Sequence, residues 1–179
     1  MLLLFSMDKE EIINLLKESG AIQFGRFVLT SGAVSDYYID IKKASTKPVI
    51  LKKLAHEMVE YTEGYDLLAG MELGAVPLIV ALSLESNIPY VIIRKNKKKH
   101  GTSKQIEGGE VKNKKVLIIE DVTTSGGSVI NSIQIIRENK GIVDEVLAIV
   151  DRESGAEQKL QNVDVSFIPL ISVSDILKK

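Results

Sequence analysis

The 179-residue chain contains no cysteine. That excludes a disulfide framework, thiolate zinc sites and a cysteine nucleophile, and it fits a reducing compartment. Only two histidines occur, His56 and His100, which leaves little room for histidine-based metal chemistry. An excess of one charge is also missing, since 23 basic and 24 acidic residues leave a net charge of −1. A globally basic nucleic-acid binder is thereby excluded, and any polyanion site has to be a local patch. Long apolar runs are lacking too. The opening Met1-Leu-Leu-Leu-Phe5 is too short for a secretory core and has no basic leader, and the longest later run, Ala75 to Leu82, could not span a bilayer. A soluble, cytoplasmic protein without a membrane partner is expected. No repeat, low-complexity tract or Pro/Gly/Ser-rich linker divides the chain. What is present, 45% apolar and 26% charged residues, is the composition of one globular domain with its own core.

Apolar spacing organises the rest. Ile12, Leu15 and Leu16 share a helical face after Asp8, with Gly20 as a stop. Phe24 to Ile41 alternates aromatic and β-branched residues around Thr30-Ser31-Gly32, which predicts short strands joined by a turn. Leu51, Leu54, Ala55 and Met58 predict a helix after Pro48. From there strands and helices alternate: strands at Asp66–Ala69, Tyr90–Ile93, Val116–Ile119, Val143–Val150 and Val163–Ile168, with helices at Gly74–Leu84 and around Val129–Ile136 between them. Continuous Val/Ile/Leu strands separated by helices predict an α/β fold, a doubly wound five-stranded parallel sheet covered on both faces. Residues 1 to about 45 form an N-terminal helix-and-strand hood on it, and about 46 to 179 the α/β core. Ligands of such sheets bind beyond the carboxyl ends of the strands, so the loops after Ala69, Ile93, Ile119 and Val150 are where chemistry is expected.

The loop after the third of these strands carries the densest signal. Glu120 and Asp121 stand where a buried strand ends, followed by Val122, Thr123, Thr124, Ser125, Gly126, Gly127 and Ser128 at the start of a helix. Hydroxyls and two glycines at a helix N-terminus let backbone N–H groups converge on an anion that the helix dipole favours. A phosphate monoester suits that cradle. It is neither a P-loop nor a dinucleotide fingerprint, for want of the lysine and of G-x-G-x-x-G. The two acids would instead accept hydrogen bonds from sugar hydroxyls or favour a nearby positive charge. The competing interpretation is a strand end with solvated acids and a hydroxyl-capped helix.

Val116 to Ser128 resembles the signature with which type I phosphoribosyltransferases bind phosphoribosyl diphosphate (PRPP). Together with Leu29–Asp40, Arg94–Thr102 and Asp151–Gly155, it makes most of the chain similar to the orotate phosphoribosyltransferases. The resemblance implies transfer of ribose 5-phosphate from PRPP to orotate, giving orotidine 5′-monophosphate and diphosphate in pyrimidine synthesis. It also implies magnesium carried by PRPP and a homodimer. Within it, Arg94, Lys98 and His100 contact the diphosphate, Lys95 reaches the partner subunit's site, residues 120–128 hold the ribose phosphate, and Arg152 with Thr124 binds orotate. Lys98 or His100 could donate a proton to the leaving group. Taken alone, the basic run Arg94–Lys104 reads as a solvated loop or a nucleic-acid patch, but it lacks interleaved aromatics for base stacking. Its position at a strand's carboxyl end, with Gly101, Gly108 and Gly109 following, fits a mobile lid. Arg152 taken alone reads as an ion pair with Asp151 or Glu153.

The chain departs from the family pattern twice. Gly70–Pro77 lies where the family's diphosphate loop lies, yet Met71, Glu72 and Leu73 stand where many members have a lysine, and Thr30 replaces another lysine before Ser31. Two rival functions share the cradle: a purine phosphoribosyltransferase, which should lack the Arg94–His100 pattern and Arg152, and a non-catalytic PRPP- or RNA-binding regulator, which should lack the acidic pair.

Overall fold

The computed structural model describes residues 7–28, 32, 34–96 and 105–178. α1 (Lys9–Glu18) starts on Asp8, whose carboxylate accepts from Glu11 N–H while Glu11 returns a bond to Asp8 N–H, a reciprocal cap. β1 (Ile22–Val28) and β2 (Val34–Ile39) pair antiparallel, as the alternation predicts. A short α2 (Lys42–Ser45), which the sequence does not announce, leads into α3 (Pro48–Met58), whose proline occupies the first turn where no N–H is needed.

The core sheet follows: β3 (Leu67–Met71), α4 (Val76–Ser86), β4 (Tyr90–Ile93), β5 (Ile106–Glu107), β6 (Val116–Thr123), α5 (Gly127–Glu138), β7 (Glu145–Asp151), α6 (Ala156–Gln161), β8 (Ser166–Ser172) and α7 (Val173–Leu177). The strand order is β5-β4-β3-β6-β7-β8. Its five long strands are parallel, and β5 adds a two-residue antiparallel edge on β4 that the apolar pattern was too short to reveal.

Strand alternation feeds two cores. Leu117 and Ile119 of β6 pack with Leu54, Leu78, Ile79 and Leu82 from α3 and α4; Val116 and Ile118 pack on the other face with Val129, Ile133 and Ile136 of α5 and Leu160 of α6. Each fully buried Val, Leu or Ile contributes about 1.5–3 kcal/mol, so the helices are fixed on both faces by side chains the sheet itself presents. α1 joins the first core through Ile12, Ile13 and Leu16.

The chain leaves β3 toward β4 on one side and returns to β6 on the other. The crevice between the carboxyl ends of β3 and β6 is therefore the topological switch point, where open α/β sheets take their ligands. No helix among the described residues is long and apolar enough to cross a membrane.

Candidate active site

β6 runs further than its apolar stretch. The ladder with β7 continues through Val122–Val150 and Thr123–Asp151, which places Glu120 and Asp121 inside the strand rather than in the loop after it. Alternation gives them different neighbours, although their carboxyls stay close enough to hydrogen-bond each other. Glu120 faces α5, where it is only 6% exposed and accepts from Ser128 Oγ at 3.4 Å. Asp121 faces the loop before α4, and packs so tightly on Gly74 that a methyl group there would overlap its carboxylate. Burial first, and the hydrogen bond and charge of Asp121 second, push the Glu120 carboxyl up to about 8. The two acids are thus not a pair of solvated anions: burial and the nearness of Asp121 make Glu120 hold a proton more firmly than a free carboxyl does.

Beyond them the cradle is open. Gly126, at φ +76°, turns the chain into α5, and a Cβ there would come within 3.2 Å of the Ala156 backbone. Among the described residues no side chain caps the twelve-residue α5, so the hydroxyls of Thr124, Ser125 and Ser128 leave its first N–H groups unclaimed. The interpretation as a hydroxyl-capped helix fails on that point. Thr124, Ser125, Gly127 and Ser128 are exposed around this terminus, and nothing lies within 4 Å of the position a Gly127 side chain would take. Val122 is half-buried. Thr123 differs from its neighbours: it is 1% exposed, its Oγ1 has no hydrogen-bond partner among the described residues, and its carbonyl accepts from Arg152 N–H at 2.8 Å.

That last bond brings the β7 loop beside the cradle. The acids flanking Arg152 do not hold its guanidinium: Asp151 Oδ1 accepts from Glu153 N–H at 3.0 Å, and Glu153 Oε2 accepts from the backbone and hydroxyl of Ser174. Arg152 lies instead over the ring of Tyr37 from β2, 5.1 Å from its centroid, with its Nε buried and without a hydrogen-bond partner among the described residues. A cation held by a ring face keeps its in-plane donors for a carboxylate. Sequence spacing missed Tyr37 because nothing in the alternation of β2 says which element it will meet.

On the other side of the crevice, Arg94 follows β4. Its Nη1 lies 3.7 Å from Glu107 Oε1, and its buried Nε has no hydrogen-bond partner among the described residues. Lys95 is exposed, and its N–H donates to Glu72 Oε1 at 3.0 Å. Lys98 and His100, most of the expected lid, and Thr30 and Ser31 lie outside the described residues. Lys42 of α2 was not singled out by the sequence: paired with Asp40 at 2.6 Å, and feeling the charge of Asp121 as well, it holds its proton more firmly than an ordinary lysine.

The described residues contain no group of three or more His, Asp or Glu arranged for a metal ion. Two adjacent acids beside an open anion cradle fit magnesium only as an ion carried on substrate oxygens and water. Residues 41–174 match the phosphoribosyl transferase domain model. The orotate phosphoribosyltransferase of Pyrococcus horikoshii is 50% identical over 174 residues, spanning 95% of this chain and 94% of its own length. That of Methanocaldococcus jannaschii is 49% identical over 172 residues, spanning 95% and 98%. A crystal structure of Mycobacterium tuberculosis H37Rv orotate phosphoribosyltransferase in complex with 5-phospho-α-D-ribosyl 1-diphosphate has the same fold at a TM-score of 0.77 and 25% identity, spanning 95% of this chain and 99% of that one.

Proposed function

The chain belongs to the phosphoribosyl transferase domain family, and we propose that it transfers the ribose 5-phosphate of PRPP to orotate, releasing orotidine 5′-monophosphate and diphosphate in pyrimidine synthesis. The observation that carries this reading is the uncapped N-terminus of α5, set directly beyond a strand whose last four residues include the buried Glu120. A helix left open at that point is completed by a phosphate. Residues 124–128 take the 5-phosphate through backbone N–H groups and hydroxyls, with Val122 and Thr123 forming the wall behind them.

Displacement at the anomeric carbon passes through an oxocarbenium-like state with positive charge on the ring. Glu120 and Asp121 lie on the ribose side, where a protonated Glu120 can donate to a ribose hydroxyl and the pair favours the growing charge. Arg94, Lys95, Lys98 and His100 neutralise the departing diphosphate, and Lys98 or His100 hands it a proton. With Glu72 in place of a lysine, backbone amides of the Gly70–Pro77 loop supply the remaining contacts. Magnesium carried with PRPP would supply charge neutralisation on the leaving group, and Asp121 would be the side chain to steady its waters.

Arg152 gives orotate's carboxylate a two-pronged partner beside Thr124, and Tyr37 fixes its plane. The hood, to about residue 45, covers this acceptor side of a core running from about 46 to 179. A homodimer with Lys95 acting across the interface is part of the same reading, as is a cytoplasmic setting.

The test is diphosphate release from PRPP and magnesium with orotate, uracil, adenine and hypoxanthine offered separately. Turnover with orotate alone is expected, and Arg152→Ala should raise KM for orotate far more than for PRPP. Equal turnover with uracil, or turnover only with a purine, would overturn the assignment.

A further inference from the structure

Glu72 stands in the loop between β3 and α4, where the proposed reaction brings an anionic diphosphate. An acid there opposes binding unless its carboxylate is engaged elsewhere, and it is. Glu72 N–H donates to Ile93 O at 2.9 Å, closing the last rung of the β3–β4 ladder, and Glu72 Oε1 accepts from Lys95 N–H at 3.0 Å. The two bonds straddle Arg94. On the opposite side, Arg94 N–H donates to Gln105 O at 2.8 Å. The backbone of Arg94 is therefore gripped from both flanks, by the diphosphate loop and by the returning strand. Its guanidinium is only loosely committed, 3.7 Å from Glu107 with an unpartnered Nε.

We propose that Glu72 is a positioning residue for PRPP: by holding the Lys95 amide it fixes the Arg94–Lys95 segment at the mouth of the crevice, so that the Arg94 fork meets the diphosphate already placed. The inference rests on the phosphoribosyl transfer reading above and adds a residue to it. A side chain ordered before binding spares the substrate the entropy of ordering it, which appears as affinity. The acceptor is a carboxylate, so the Lys95 bond is charge-assisted and of the stronger kind. The loop's lysine is thus replaced by an acid that acts on the neighbouring basic segment instead of on the anion.

The experiment measures PRPP–magnesium affinity by calorimetry, alongside steady-state kinetics and the thermal midpoint, for Glu72→Ala, Glu72→Gln, Arg94→Ala and the Glu72→Ala/Arg94→Ala pair. Glu72→Ala is expected to weaken PRPP in both Kd and KM by about tenfold or more, with KM for orotate and the thermal midpoint held. Glu72→Gln, which keeps an acceptor oxygen at the same reach, restores most of the affinity. In the Arg94→Ala background, loss of Glu72 adds little, because the group it positions is gone. If Glu72→Ala lowers the midpoint, Glu72→Asp, one methylene short of the Lys95 amide, carries the same expectation. Unchanged PRPP affinity in Glu72→Ala, equal defects in the Ala and Gln variants, or simple addition with Arg94→Ala would each overturn the proposal. Wild-type protein that neither binds PRPP nor releases diphosphate would overturn the underlying reading instead.

Discussion

Burial holds a proton on Glu120 that an exposed glutamate would have lost well below neutrality. Its folded-state value lies near 8 against an ordinary 4.5, so the folded protein binds this proton more tightly than the unfolded chain does. The resulting stabilisation is fully present below the unfolded value and is lost as pH rises through the folded one. The thermal midpoint of the ligand-free protein should therefore fall between about pH 5 and about pH 9, and Glu120→Gln should flatten that part of the curve. Asp151 is also raised by burial, so the difference between wild type and variant, rather than the wild-type slope, reports the Glu120–Asp121 pair. Asp175, held well below the usual carboxylate range by Lys9, acts in the opposite sense and only at acid pH. A difference curve that is flat across this window would mean that Glu120 is ionised in the folded state. The adjacency of Glu120 and Asp121 was legible in the sequence. The proton was not, since it depends on α5 lying over one of them and not over the other.

Among the elements, the loop between β3 and α4 shows how tightly two segments can define one site. Gly74 presses on Asp121, and a Cβ at that position has no room. Gly74→Ala must displace either the loop or the acid, and kcat/KM for PRPP is expected to fall by about tenfold or more while the thermal midpoint changes little. Wild-type kinetics in that variant would show that the loop and Asp121 can separate without consequence. The loop itself could be located from the strand–helix rhythm, and so could the cradle at α5. The end of β6 was misjudged for a physical reason. Polar Glu120, Asp121 and Thr123 look like loop, yet their backbones stay in the ladder with β7 because the neighbouring strand, not side-chain polarity, sets where hydrogen bonding ends. β5 escaped notice for the related reason that two residues carry no period.

At the scale of the whole molecule, the strand order puts the β3 loop, the β6 cradle and the start of the basic segment around one crevice, while the hood brings Tyr37 to Arg152 from the far end of the sequence. If two chains share their sites through Lys95, subunit exchange is informative. Lys95→Ala and Asp121→Asn proteins, each nearly inactive alone, should on mixing regain about a quarter of wild-type activity, because a heterodimer holds one intact site. A monomer by sedimentation, or mixtures as inactive as their parts, would confine every site to one chain.

The sequence by itself determined the class of fold, the five parallel strands, the hydroxyl- and glycine-rich segment before α5 and the acid pair, because these depend on local period and on residues adjacent in the chain. It also held the family signature, which the relatives at about half identity bear out. Only the tertiary structure decided which groups answer one another: Ser128 and Glu120, Gly74 and Asp121, Glu72 and the Lys95 amide, Tyr37 and Arg152. It also replaced the Arg152 ion pair with a ring contact and left α5 uncapped. Burial, pKa and hydrogen-bond partnership are properties of a site's surroundings. Three of these four pairings bring together residues more than twenty positions apart, which no local pattern encodes.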